Sequence, residues 1–476
     1  MTQTAAPAGA KKRPPGKPGR RPAPAPAQSP YGLGAALRQG DVCTKASAAV
    51  MGLGNMARGQ VVKGLMFLAA EAGFVYLLVV SGLPSLKGLG ELGPVTKGSQ
   101  EWDDQGNYVM VSPTNSVEVL LYGIAWALII LLFAVFWTFA VRSAYKAEVL
   151  SRAKGKAPSF GQDLRSLADT RLYGTLMTLP TLGLLVFTVL PLVFMISMAF
   201  TSFDDDHTPA FNWVGLKNFG VVLSSSGSGD IGVNARLFFS VLAWTLVWAF
   251  FATFLNFFLG MFMAMIILRA GTRFKSFWRV CFSMSIAVPQ FVSLLAVNQM
   301  LQQQGIVNQM LANWGWIDEA LPFFTNATWA RVTVIVVNLW IGIPYTIMQV
   351  TGILQNIPAE THEAAKIDGA SWWERYIYVT MPYIFFVMTP YLITTFTANV
   401  NNFNVIYLLS NGAPTPVGDS AGKTDLLITW LYKLTVDKGN YNVGAVIGIF
   451  TFIVLALVSL ITYRSSGSYK NEEGFR

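Results

Sequence analysis

Glu363-Ala364-Ala365-Lys366-Ile367-Asp368-Gly369, followed after nine more residues by Val379-Thr380-Met381-Pro382, is a polar interruption between two long apolar segments. Segment 355–382 carries Glu360, Glu363, Asp368 and Glu374 against Lys366 and Arg375. Its punctuation predicts two short helices. Pro358 and Glu360 suit a helix start, where a missing N–H is harmless and negative charge is favoured. Ala364 and Ala365 are strong helix formers whose small side chains let another surface come close. Gly369 suits a left-handed helix end. Ser371 and Glu374 then fit a reciprocal cap that opens a second helix. Helix, glycine break, helix makes a bent bracket suited to docking a soluble partner. The alternative is a solvated helix pair of chance composition.

Outward from the bracket, the chain reads as membrane. Of 476 residues, 53% are hydrophobic and 12% charged, against about 25% charged in soluble domains. Eight apolar runs approach the ~20 residues needed to cross a bilayer: 61–81, 118–141, 174–200, 237–268, 281–301, 332–354, 383–408 and 443–463. The first contains Lys63 and Glu71, and the fifth contains Gln290, Asn298 and Gln299. Backbone in lipid must pair its own polar groups, and no run shows the two-residue alternation of barrel strands. The expected fold is an all-α integral membrane protein with about eight transmembrane helices. Lys and Arg set its orientation. With the N-terminus cytoplasmic, the inner segments hold 25 of them and the outer loops 8. Both termini and the bracket are then cytoplasmic, and the bracket is the inner loop that breaks the positive bias.

The organisation follows. Residues 1–60 read as a disordered basic Pro/Ala-rich cytoplasmic tail and juxtamembrane segment, 61–160 as two accessory helices, and 170–466 as a six-helix core containing 355–382. The net charge of +9 concentrates in the tail, beginning at Lys11-Lys12-Arg13. Beside a bilayer such a tail orients the chain or touches anionic lipid, so no nucleic-acid partner is expected. No apolar stretch follows the early basic cluster closely enough for a signal peptide. Cys43 and Cys281 suit neither a disulfide framework nor a metal site. His207 and His362 are isolated, and no cofactor is expected.

The bracket resembles the coupling loop of ABC importer permeases, whose pattern is EAA, three residues, G, nine residues, I, one residue, L-P. Val379 and Met381 replace the Ile and Leu. Further runs resemble the carbohydrate branch of that family, in order from about residue 170: Trp213-Val214-Gly215-Leu216-Lys217-Asn218-Phe219, Gly305-Ile306-Val307-Asn308, Asn338-Leu339-Trp340-Ile341-Gly342-Ile343-Pro344-Tyr345, Asn399-Val400-Asn401-Asn402-Phe403, Asn411-Gly412-Ala413-Pro414 and Thr424-Asp425-Leu426-Leu427. The similarity is greatest to the larger membrane subunit of maltose/maltodextrin transporters. It implies a type I importer permease fold in a bacterial inner membrane and a non-enzymatic transport subunit. It also implies a separate ABC ATPase homodimer, a second homologous permease, an external solute-binding protein and an oligosaccharide substrate. Glu363, Ala364, Ala365, Asp368, Gly369 and Pro382 would couple to the ATPase. Enteric members carry a large folded insert after the third span, whereas segment 201–236 here is short.

The residues themselves suggest where a solute would sit. Asn338, Tyr345, Thr395, Asn399 and Asn402 lie in or at the ends of spans, where polar groups are costly and are functional or bridge helices. Asn399 and Asn402, three apart, are expected on one helix face. Amides offer donors and acceptors together, which suits sugar hydroxyls, and Tyr345 adds an aromatic face. The resemblance adds Ile341 and Gly342 to this set and assigns all seven to the sugar pocket. Ala398 departs from the aromatic residue of the family and leaves the sugar open.

Other signals fail on context. Gly418-Asp419-Ser420-Ala421-Gly422-Lys423-Thr424 has three residues between its glycines where a phosphate loop needs four. Gly52-Leu53-Gly54-Asn55-Met56-Ala57 precedes a span and not a βαβ unit, so a juxtamembrane element is expected. An ion-coupled secondary transporter would need ionisable relays within the core spans, which hold almost none. A permease for another solute, a sugar or polyol among them, and a non-transporting scaffold remain as rivals.

Overall fold

The computed structural model describes residues 31–465 except 97, 103–107, 226–230 and 270. The chain divides into two compact units, one of residues up to Ser85 with Ala125–Leu184, the other of Leu86–Ile124 with the residues from Leu185 onward. This division differs from the sequence boundary near 170, because Leu172–Leu184 goes with the first unit.

The first unit begins with three short helices, α1 (Leu33–Gln39), α2 (Val42–Ala46) and α3 (Leu53–Met56). Only residues 1–30 of the tail lie outside the described residues; residues 31–60, expected to be disordered in part, are folded. The cause is a buried charge cluster. Glu148 is 1% exposed, accepts from Thr44 Oγ1 at 2.6 Å and Asp41 N at 3.1 Å, and pairs with Arg58 and Arg152 at 3.3 and 2.6 Å. Arg58 also pairs with Asp41 at 2.7 Å. Burial pushes the Asp41 carboxyl up, but hydrogen bonds from Thr44 and Arg58 outweigh it and hold it below the usual value. Gly52 is left-handed at φ +86° and passes tightly over Gly64. The dinucleotide-like glycines thus make a juxtamembrane turn.

Among the described residues, seven helices are long and apolar enough to cross a membrane: α4 (Val61–Gly88), α5 (Ser116–Ala153), α6 (Leu172–Met198), α7 (Ala235–Leu268), α10 (Ala327–Gln355), α12 (Trp372–Leu409) and α13 (Tyr441–Arg464). The expected fifth span is a bent pair, α8 (Lys275–Ala287) and α9 (Gln290–Met300), with 86° between them. Pro289 explains the bend. It forces Val288 out of helical geometry, at ψ 127°, and has no N–H to continue the ladder. The expectation of about eight spans thus holds as these seven helices plus the bent pair. Between α4 and α5 lies one small hairpin, Ser99–Trp102 paired antiparallel with Tyr108–Val111, an exception to the all-helical reading.

In the second unit, α7 and α10 cross closely because each carries a small residue opposite a polar one. A Cβ on Gly342 would lie 2.5 Å from the Asn256 amide, and one on Gly260 would lie 2.5 Å from Thr346. Small residues permit this backbone approach in lipid, where hydrophobicity alone does not drive helices together. Around the crossing lies a core of Phe257, Met261, Ile347, Ile384 and Met388. A second core around Trp244, Trp248, Leu294, Val334 and Ile406 joins α7, α9, α10 and α12.

Candidate functional site

The middle of the second unit holds a cavity of about 200 Å³. All seven residues expected to meet the solute line it: Asn338, Ile341, Gly342 and Tyr345 from α10, and Thr395, Asn399 and Asn402 from α12. Gly342 has no side chain because Asn256 occupies that space. Four further polar residues line it that the sequence reading did not select: Thr253, Asn256, Gln290 and Tyr391. Thr253 lies in a π turn, Phe251–Leu255, and Asn256 follows it. Such a wide turn inserts a residue into the helix and changes which side chains face inward. Gln290 stands at the start of α9, just past the Pro289 bend. The signals were visible as an Asn in an otherwise apolar span and as the amide that weakened the fifth run.

Among the described residues, no charged side chain lines the cavity. One wall is a hydrogen-bonded chain. Asn402 Nδ2 donates to Asn399 Oδ1 at 3.3 Å, and Asn399 Nδ2 donates to Thr253 Oγ1 at 3.0 Å. Asn402 Oδ1 accepts from Val405 N at 3.3 Å and caps the next helical piece, because α12 breaks after Val400. The two asparagines therefore share the cavity but not one continuous helix face, as spacing alone had suggested. Trp248 Nε1 fixes the break by donating to the Asn399 carbonyl at 3.1 Å. Other polar atoms are open. Asn256 Nδ2 donates to Ala252 O at 2.8 Å, but its buried Oδ1 has no partner. Asn338 is 6% exposed and its amide has no hydrogen bond among the described residues. Buried polar groups rarely stay unpaired, so these atoms suit a polar, uncharged guest.

The bracket is built differently. A short helix, α11 (Ala359–Ile367), ends at Gly369, φ +81°, where Ala370 N reaches back to Ala365 O at 2.9 Å. Ser371 Oγ accepts from Glu374 N at 3.3 Å, and Glu374 Oε2 accepts from Ser371 N at 2.7 Å. Both expected devices, the left-handed glycine and the reciprocal cap, are present. Glu363, Ala364, Asp368, Gly369 and Pro382 are exposed and Ala365 half-buried. The second arm is longer than expected. It does not stop at Pro382 but runs on through a π turn, Tyr376–Thr380, as the start of α12. The second arm of the bracket and Thr395 and Asn399 thus sit on one helix.

The remaining sequence runs are loop staples. Asp425 is fully buried. It accepts from Lys433 Nζ at 2.8 Å, Gly422 N at 2.7 Å and Thr429 Oγ1 at 2.9 Å. A Cβ on Gly412 would collide with its carboxylate, so the Asn411–Pro414 and Thr424–Leu427 runs are two halves of one loop. Thr424 Oγ1 donates to Ala413 O at 2.8 Å, a structural use of the apparent phosphate loop. Asn218 Nδ2 donates to the Ala199 and Thr201 carbonyls at 2.9 and 2.7 Å. His207, isolated in sequence, meets Asp204 at 2.5 Å in an exposed turn. Among the described residues, no group of His, Cys, Asp and Glu could hold a metal ion.

The family described as "Binding-protein-dependent transport system inner membrane component" matches residues 256–467. The maltodextrin transport system permease protein MdxF of Bacillus subtilis is 32% identical over 435 residues, 89% of this chain and 95% of that protein. The galactooligosaccharides transport system permease protein GanP of the same organism is 33% identical over 434 residues, 89% of this chain and 97% of that protein. The maltose/maltodextrin permease MalF of Salmonella typhimurium is 30% identical over 270 residues, 55% of this chain and 51% of that protein. In fold, the chain is similar to a bacterial ABC transporter involved in the import of alginate, with a TM-score of 0.50 and 20% identity over 63% of this chain and 96% of that one. The chain therefore belongs to the binding-protein-dependent transport system inner membrane components, a family of multi-pass membrane permeases.

Proposed function

We propose that this chain is the non-catalytic permease subunit of an ATP-driven importer of neutral oligosaccharides of the maltodextrin type. One observation carries the solute class: among the described residues, the cavity between the spans has no charged lining residue, and Asn338 and the Asn256 oxygen have no hydrogen-bond partner. Neutral sugars offer hydroxyls that donate and accept, and amides answer both. Asn338, Tyr345, Thr395, Asn399 and Asn402 bind the sugar, while Ile341 and Gly342 shape the wall. The names of the relatives support this class and divide within it, since one carries maltodextrins and another galactooligosaccharides. The cavity is smaller than the ~300–1,000 Å³ usual for ligand sites, so a chain of several rings requires its walls to separate.

The bracket supplies that separation. An ATPase homodimer grips Glu363, Ala364, Ala365, Asp368 and Gly369, and its closure moves the second arm. Because the arm continues as α12, the displacement reaches Asn399, 25 residues beyond Glu374 and about 38 Å away at 1.5 Å per residue. Transport direction requires that the two states differ in their contacts with the ATPase. A second permease and an external binding protein complete the assembly, with the termini and the bracket cytoplasmic as the Lys and Arg distribution requires. The decisive experiment reconstitutes the chain with its ATPase, companion permease and binding protein, and measures uptake of labelled maltodextrins and galactooligosaccharides. ATP-dependent uptake that Asn338→Leu weakens is expected. Uptake of neither sugar class, or an ATPase that fails to bind the wild-type chain, overturns the reading.

A further inference from the structure

Within the first unit, the end of α5 and the start of α6 leave a cleft of about 980 Å³. Three cations line it: Arg142 and Lys146, one turn apart on α5, and Arg171 at the entry to α6. None of the three forms an ion pair among the described residues. The acid on the neighbouring helix, Asp163, is already taken by Lys63 and by Gln60 Nε2 at 3.3 Å. The buried Glu148, two residues beyond Lys146, is turned to Arg58, Arg152 and Thr44. The cleft therefore keeps uncompensated positive charge. Below the cations its walls become apolar, with Phe139 on α5 and Leu179 and Leu182 on α6, all exposed.

Charge at one level and exposed apolar surface along the same walls is the profile of a lipid, not of a soluble anion. We propose that this cleft binds one anionic phospholipid, its headgroup phosphate held by Arg142, Lys146 and Arg171 and its acyl chains lying along Phe139, Leu179 and Leu182. The apolar run of α5 ends just before Arg142 and α6 begins just after Arg171, which puts the cations at the depth where headgroups lie in a bilayer. Arg presents several donors in a fork that matches phosphate oxygens, and Lys adds a compact charge. Basic pockets between spans take anionic headgroups by this chemistry. The proposal rests on the membrane placement of these helices and is independent of the sugar.

The test uses the full chain with its partner subunits in nanodiscs of phosphatidylcholine, titrated with fluorescent phosphatidylglycerol. Each basic group near a headgroup multiplies binding roughly fivefold, so three give a preference over labelled phosphatidylcholine of about 100-fold. Arg142→Gln, Lys146→Gln and Arg171→Gln combined should remove the preference, and excess inorganic phosphate should not displace the lipid. Equal binding of the two lipids by the wild-type complex overturns the proposal, as does a preference that survives in the triple variant. Displacement by inorganic phosphate alone assigns the cleft to a free anion and overturns the lipid. Exclusion of both lipids from the assembled complex means that protein covers the cleft, which overturns it equally. Should the triple variant fail to assemble, Arg142→Lys with Arg171→Lys keeps the charge and must keep the preference.

Discussion

The cavity and the second arm of the bracket share one helix, α12, and obey opposite rules. The cavity is assembled from four helices far apart in sequence, its amides are partly paired with each other, and no charge enters it. The bracket is closed by bonds that span three to five residues, and its motif side chains stand mostly in solvent. A substitution in the cavity therefore changes packing and solute contacts together. A substitution on the bracket can abolish a partner contact and leave the fold untouched. Melting temperature measured beside uptake separates the two regions.

The strongest attempt to break this contrast is Gly342→Val. Its Cβ would meet the Asn256 amide at 2.5 Å, and overpacking of this kind costs about 1–3 kcal/mol. It also fills the cavity wall. Both the melting temperature and sugar uptake should fall, with uptake lost. A variant that transports normally would show that α7 and α10 do not need their close crossing.

Ala364→Arg is the matched test on the bracket. Ala364 is exposed, so folding stability should change by no more than about 0.5 kcal/mol. A bulky cation at the centre of a docking surface should cost ~2 kcal/mol or more, at least about 30-fold in ATPase affinity. Unchanged melting with lost ATPase binding sharpens the comparison. A large drop in melting temperature would mean that the bracket belongs to the packed protein after all.

These two positions also show what the sequence makes legible. The bracket could be read almost to the atom, because a left-handed Gly369 and a Ser371–Glu374 cap are local devices whose geometry follows from spacing. Its continuation into α12 escaped the reading, because Pro382 resembles a boundary and nothing local reveals that a π turn carries the helix past it. The cavity was legible as chemistry, since polar residues inside apolar spans announce themselves. It was not legible as geometry. The paired crossing of Asn256 with Gly342 and Gly260 with Thr346 depends on contacts between segments about 85 residues apart, and the break after Val400 on a contact from Trp248, 151 residues before Asn399. Asn256 and Gln290 were passed over for that reason, although each was as conspicuous as Asn338. Conversely, Asn218 and Asp425 drew notice in sequence and are staples of their loops.

Asn338→Leu probes the cavity without disturbing a bond inside the protein. No partner loses its hydrogen bond, so the melting temperature should hold or rise slightly. Loss of a buried contact to a sugar hydroxyl costs about 1–3 kcal/mol, which corresponds to about 5- to 150-fold in the concentration needed for half-maximal uptake. Asn399→Leu should differ in kind. It frees Thr253 Oγ1 and Asn402 Nδ2 together, so stability and uptake should fall in parallel. If the two variants behave alike, the division of the cavity into open and internally paired amides is wrong.

Ser371→Ala is the smallest change and the most informative about how motion travels. It removes the hydroxyl that accepts from Glu374 N and leaves the Glu374 carboxylate with half of its reciprocal pair. Loss of such a cap costs about 1 kcal/mol, confined to the first turn of α12, where Ser371–Glu374 are exposed. Global melting should therefore not move. The first turn should fray, and amide exchange at Trp372–Glu374 should quicken by about fivefold, the equivalent of that energy. If α12 acts as a stiff arm, a frayed first turn absorbs part of each ATPase stroke before it reaches Asn399. ATP hydrolysis should then continue at its normal rate while sugar carried per ATP declines. A rise in exchange without a fall in that ratio would show that force enters α12 beyond Arg375, through the π turn. The bracket would then serve to bind the ATPase and not to move the cavity.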